Sequence, residues 1–78
     1  MRDVRVFVAA GCHLCEAALE VVASVCTALG VAFEVVDVGG DPELERRYRE
    51  RLPVVEVGGE EAFAYFVDPD ALRDRIVA

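Results

Sequence analysis

Val4, Val6 and Val8 alternate with Arg5 and Phe7, and the run stops at Ala9-Ala10-Gly11. A period of two with β-branched residues predicts a strand. Phe7 and Val8 make both faces apolar near its end, which predicts a central strand in a covered sheet. The period then changes. Over residues 13–29, Glu16, Glu20, Ser24 and Thr27 recur as a polar stripe at spacings of four, four and three. Leu14, Ala18, Val21, Val25 and Leu29 form a wide apolar face elsewhere, so this segment predicts a helix. Gly30 stands where a left-handed C-cap would end it.

A second strand is predicted over Val31 to Val38, with Val31, Phe33 and Val35 on one side and Ala32, Glu34 and Val36 on the other. Gly39-Gly40 ends it. Asp41-Pro42-Glu43 supplies an N-cap, a first-turn proline and an acidic first turn, which together open a second helix. Arg46, Arg47 and Arg49 fall toward its end, where positive charge suits the helix dipole. Pro53 must lie beyond that helix, because proline disfavours helix at the residue before it. Val54 to Val57 and Ala62 to Phe66 read as two short strands joined through Gly58-Gly59-Glu60, a hairpin signal. Asp68-Pro69 starts a last helix through Leu72 and Ile76, with Asp70, Arg73 and Arg75 on its wet face. The order is β-α-β-α-β-β-α. Two parallel strands joined by a helix, followed by a hairpin and a covering helix, predict an α/β fold with one four-stranded mixed sheet flanked by helices.

The chain has 78 residues, which is the size of one domain, residues 1–78. Eight basic residues, all arginine, stand against fifteen acidic ones for a net charge of -7. Phosphate binding rests on clustered positive charge, so no nucleic acid and no anionic membrane surface is expected as a partner. No apolar run reaches the ~18 residues of a membrane span. Met1-Arg2-Asp3-Val4-Arg5 passes straight into the first strand without a signal-peptide pattern, so a cytoplasmic protein is expected. A domain this short is marginal without help, yet three cysteines do not make a disulfide scaffold. They are expected to be reactive, metal-binding or buried instead.

Gly11-Cys12-His13-Leu14-Cys15 stands between the first strand and the first helix. Cysteines three apart at a helix start have Cα atoms about 5–6 Å apart, within the range a disulfide tolerates. The pair can therefore open and close with little backbone movement. Cys12 sits at or beside the N-cap, where unpaired amides and the positive end of the dipole favour a thiolate. Thiols in such settings titrate well below about 8.5. Cys15, one turn in, should be more covered. The expected division of labour is that Cys12 attacks a target disulfide and Cys15 resolves the mixed disulfide. A closed zinc site needs four ligands, and only Cys12, Cys15 and His13 are near one another in sequence, so no metal is expected within one chain.

Gly-Cys-His-Leu-Cys-Glu-Ala (11–17), Asp-Pro-Glu-Leu with a following Arg-Tyr (41–48), and Arg-Leu-Pro-Val-Val (51–55) together resemble the small bacterial glutaredoxin-like proteins of the thioredoxin superfamily. The resemblance covers nearly the whole chain. It implies a thioredoxin-like fold, an oxidoreductase exchanging dithiol for disulfide, and a cis Pro53 packed against the cysteine pair. It implies that Leu52 offers its backbone to an extended substrate. It also implies a disulfide-containing protein or a glutathione mixed disulfide as substrate, glutathione as a possible reductant with no tightly bound cofactor, and a monomer. The departures concern glutathione. Ala9-Ala10-Gly11 stands where glutaredoxins usually have a lysine. Tyr65-Phe66-Val67-Asp68 stands without the Gly-Gly that, with an acidic residue, holds the glutamyl end; only Asp68 can be carried over, and it reads equally as an N-cap. Nor does the chain have the tryptophan beside the motif, or the buried acid on the preceding strand, found in thioredoxins.

Several residues keep two readings. Arg51, with Arg49, can approach the rim and bind a carboxylate of glutathione or of an acidic partner. Alternatively the arginines complement their own helix end and pair with Glu43, Glu45 and Glu50. His13 can tune the thiolate or simply be exposed. Cys26 lies about 16 Å from Cys15 along a helix, cannot bridge to it, and reads as a buried apolar residue. Tyr48, Phe63, Tyr65 and Phe66 read as packing residues. A second function stays open: a non-enzymatic iron–sulfur or metal carrier using Cys12 at a dimer interface.

Overall fold

The valine alternation at the amino terminus forms the spine of the sheet. In the computed structural model, which describes residues 1–78, β1 (Val4–Val8) lies between β2 (Phe33–Asp37) and β3 (Val54–Val57), and β4 (Glu60–Ala64) lies outside β3. The helices are α1 (His13–Leu29), α2 (Pro42–Tyr48) and α3 (Pro69–Val77). β2 runs parallel to β1, while β3 is antiparallel to β1 and β4 to β3. The result is a mixed four-stranded sheet flanked by helices, with the element order that the hydrophobic pattern predicts.

The strand alternation sorts the core into two layers. Val4 and Val6 of β1 and Val55 and Val57 of β3 face Val22 and Cys26 of α1 and Leu72 and Ile76 of α3, all buried. On the other side Phe7 and Val54 meet Val38 and Tyr48, beneath the single short helix α2. Tyr48 stacks on Phe7 with ring centroids 4.4 Å apart.

Three expectations shift in detail. The buried face of α1 is Cys15, Ala18, Val22 and Cys26, not the stripe of Leu14, Val21, Val25 and Leu29. Those flank it half-buried, except Leu14, which is 38% exposed. The helix is apolar around so much of its circumference that periodicity alone does not centre it. Contact with the sheet and α3 does. β2 starts at Phe33 rather than Val31, because Gly30 takes a left-handed conformation and the Val31 N–H donates back to the Cys26 carbonyl. That bond belongs to the helix ending. β4 is Glu60–Ala64 rather than 62–66. Gly58 and Gly59 alone form the turn, both at positive φ, so Val57 pairs directly with Glu60. Two left-handed residues match the twist of the strands and close the hairpin at its shortest length.

Candidate active site

The loop leaving β1 places Cys12 as the N-cap of α1, in extended conformation, with its sulfur accepting the Cys15 N–H at 3.1 Å. A thiol sulfur here takes the role usually played by a serine or aspartate oxygen at a helix start. The Glu16 N–H is satisfied by the Cys12 carbonyl. Cys12 and Cys15 are joined by a disulfide, with Cα atoms 5.2 Å apart. The two sulfurs occupy different surroundings. Cys15 belongs to the buried face of α1, 2% exposed, whereas Cys12 is only half-buried.

His13 is almost fully exposed, with Nδ1 3.5 Å from a Glu16 carboxylate oxygen. Leu14, between the cysteines, is also partly exposed. Cys26 lies on the same face as Cys15, deep in the core, and burial pushes its thiol above the ordinary value. It is the one cysteine outside the disulfide. No three His, Cys, Asp or Glu side chains come together as a metal site.

The register brings a second segment to this end of the sheet. Phe7 pairs with Val54, so Pro53 falls opposite Val8, where β1 runs out toward Cys12. Pro53 is buried and the Leu52–Pro53 peptide is cis. Leu52 packs half-buried against the Phe7 and Tyr48 layer. Its N–H and carbonyl lie outside the strand ladder and pair with no backbone group of the chain.

Arg51 pairs with a residue that the sequence does not single out. Its Nη1 donates to Glu61 Oε1 at 2.6 Å, its Nη2 donates to the Arg47 carbonyl at 3.1 Å, and the guanidinium lies 5.6 Å over the Tyr48 ring. The partner is thus a β4 glutamate rather than Glu43, Glu45 or Glu50. The charge is neutralised across the hairpin. Tyr48 in turn donates to Glu56 at 3.2 Å, and burial, followed by the Glu56 charge, raises its phenol above the ordinary value.

Tyr65 takes a conformation that the hydrophobic pattern does not reveal. Its φ is 68°, the only positive value outside glycine. The Phe66 N–H donates to the Ala64 carbonyl at 2.8 Å, closing a γ-turn around Tyr65. This inverted conformation is rare and strained for a bulky residue. Two bonds hold it. The Tyr65 N–H donates to the Pro53 carbonyl at 2.9 Å, and its hydroxyl donates to the Glu50 carbonyl at 2.6 Å. The tyrosine therefore ties the exit of β4 to the segment carrying the cis peptide.

The mixed four-stranded sheet flanked by helices, in this element order, and the cysteine-capped first helix define a thioredoxin-like protein. The chain belongs to the glutaredoxin-like domain family (DUF836), whose sequence profile matches residues 3–77. No curated protein sequence matches it. Among solved structures it is similar to protein XcR50 from X. campestris, at 30% identity and TM-score 0.75, over 91% of each chain. Protein Ne2328 from Nitrosomonas europaea is also 30% identical, with TM-score 0.76 over 91% of this chain and 86% of that one. The glutaredoxin grx-1 from Archaeoglobus fulgidus shares the fold at 20% identity and TM-score 0.66, over 100% of this chain and 89% of that one. Family and cysteine pair together support a thiol-redox role. No helix of the chain is long and apolar enough to cross a membrane.

Proposed function

We propose that the protein is a thiol–disulfide oxidoreductase that reduces disulfides by dithiol exchange, with Cys12 as nucleophile and Cys15 as resolving thiol. The observation that carries this reading is the asymmetry of the pair. Cys12 caps α1 with its sulfur on a first-turn amide, while Cys15 sits beneath it, 2% exposed and 5.2 Å away between Cα atoms. In the reduced protein the same amide and the helix dipole favour a Cys12 thiolate.

The thiolate attacks one sulfur of a substrate disulfide. A Cys12–substrate bond forms, the substrate S–S bond breaks, and the leaving thiolate takes a proton from solvent. Cys15 loses its proton and attacks the Cys12 sulfur, releasing the second substrate thiolate, which is protonated in turn. The products are two substrate thiols and the Cys12–Cys15 disulfide. Leu52, with its unpaired backbone N–H and carbonyl beside Pro53, receives an extended substrate segment. Glutathione or another small thiol regenerates the dithiol, and a reducing cytoplasm is the compartment that suits the cycle. The reaction needs one chain only, so we expect a monomer.

Alkylation of the reduced protein by iodoacetamide across pH tests the assignment. Cys12 should react with a midpoint below the ordinary thiol value of about 8.5. Cys12→Ser should bring disulfide reduction to the uncatalysed rate, and Cys15→Ser should accumulate a trapped mixed disulfide. A Cys12 no more reactive than an unstructured thiol, with nothing trapped in Cys15→Ser, overturns the proposal.

A further inference from the structure

The segment that leaves β4 crosses the end of the sheet where the disulfide lies. Tyr65 is tied to Pro53 and to Glu50 on the α2 side. Val67, two residues on, packs into the layer beneath α1 and α3. Phe66 must therefore sit on the crossing itself, and it is 74% exposed. Tyr65 keeps 43% of its surface exposed, and Leu14, within the cysteine motif, 38%. Three of the six large apolar side chains left in solvent thus gather at this end. Solvent exposure of an aromatic ring has no benefit to folding. Nor does a γ-turn that forces a tyrosine to positive φ, yet two hydrogen bonds maintain it. Strain maintained beside a reactive group points to function.

Charge at this end argues in the same direction. Arg51, the cation nearest Leu52 in the chain, is neutralised by Glu61. The amino end of α3 is occupied by its own Asp68, whose carboxylate accepts the Ala71 N–H at 2.8 Å. At Leu52 and at the start of α3 an approaching carboxylate finds a paired arginine and a capped helix on a chain of net charge -7. Arg46 and Arg47 have no ion pair, but they stand back on α2, with Arg47 over the Tyr48 ring. Glutathione carries two carboxylates on each half, so its recognition needs free positive groups.

We propose that the chain selects polypeptide disulfides flanked by an apolar side chain over glutathione disulfides, with Phe66, positioned by the Tyr65 turn, as the anchor for that side chain. This deepens the dithiol-exchange reading and rests on it. The chemistry is the exchange already written. The substrate disulfide is the oxidant, and its flanking residue covers Phe66 while Cys12 attacks. Tyr65 is a positioning residue, acting through the backbone that presents its neighbour.

The test uses the reduced full chain in single turnover without oxygen. The probes are an uncharged peptide disulfide with leucine and phenylalanine beside the cystine, the same peptide with aspartates there, oxidised glutathione, and bis(2-hydroxyethyl) disulfide. Each rate is divided by the rate of that probe with dithiothreitol, which removes differences in intrinsic reactivity. The apolar peptide should exceed glutathione by about tenfold or more, the size expected of one well-covered apolar contact. Phe66→Ser should reduce that ratio about tenfold. Val77→Ser, at another exposed apolar position at the end of α3, should leave it unchanged. A normalised preference for glutathione, equal rates, or a ratio indifferent to Phe66→Ser overturns the inference while leaving the redox chemistry standing. No reaction with bis(2-hydroxyethyl) disulfide overturns the dithiol-exchange reading and this inference with it.

Discussion

The two ends of the sheet are built on opposite terms. At the end away from the cysteines, each local choice agrees with its backbone. Gly58 and Gly59 make the left-handed turn that glycine makes most readily. Arg5 and Glu34 are paired across β1 and β2 at 2.7 Å, and Arg2 reaches Glu60 at 3.7 Å. A groove of about 400 Å³ lies there, lined by Asp3, Arg5, Glu34 and Glu56 among others. Its charged lining residues are paired or acidic, and it has no nucleophile. At the cysteine end the local choices conflict with their backbone. A tyrosine occupies a φ suited to glycine, a thiol replaces an oxygen cap, and a phenylalanine stands in solvent. Natural chains depart from local consistency mainly at functional sites. Concavity is therefore a poorer guide to chemistry in this molecule than the concentration of such departures.

Substitutions can break or sharpen that contrast. The largest effect is expected at Tyr48, which supports the cysteine end from below. It stacks on Phe7, bonds Glu56 and lies under the guanidinium groups of Arg47 and Arg51. Tyr48→Ala should lower unfolding free energy in urea by about 3–4 kcal/mol, the usual result of truncating a buried aromatic ring. A loss below about 1 kcal/mol would show that the layer under α2 does not carry this end.

At the regular end, Gly59→Ala tests the backbone alone. Its φ is 82° and an added Cβ meets nothing within 4 Å. The expected loss is about 1–2 kcal/mol from the left-handed conformation. The normalised rate of disulfide reduction should not change. A change in that rate would couple the ends and dissolve the comparison.

Tyr65→Phe keeps the ring and removes the bond to the Glu50 carbonyl. About 1 kcal/mol of stability should go with it. Hydrogen exchange at the Tyr65 and Phe66 amides should accelerate more than exchange in β1. Uniform acceleration would mean that the hydroxyl is not a local strap.

The smallest effect is alkaline. Burial pushes the Cys26 thiol and the Tyr48 phenol up, so the folded chain retains protons that the unfolded chain releases. Stability should then fall as pH rises past the ordinary thiol value of about 8.5, and fall further past the ordinary phenol value of about 10. The loss should grow with pH until the folded thiol itself ionises. Cys26→Ala should flatten the first part of that slope. An unchanged slope would assign it elsewhere.

Much of this architecture is legible in the chain because it is made by neighbours. Valine alternation, the Asp41-Pro42 and Asp68-Pro69 caps, Gly30 and the Gly58-Gly59 turn each act within a few residues. They specify the element order and the mixed sheet. The Cys12–Cys15 pair is legible for the same reason: spacing along a helix start is a local quantity, and so is the amide at the mouth of α1. Other features need partners distant in sequence. Which stripe of α1 is buried depends on α3 and the sheet, since the helix is apolar over most of its surface. Arg51 finds Glu61 only because the hairpin folds back beside it. The turn at Tyr65 exists because carbonyls of Glu50 and Pro53 lie where its hydroxyl and amide can reach them. Local spacing determined where a reactive sulfur could be held. Long-range hydrogen bonds decided what surrounds it, because a conformation unfavourable to its own residue persists only when the rest of the fold holds it there.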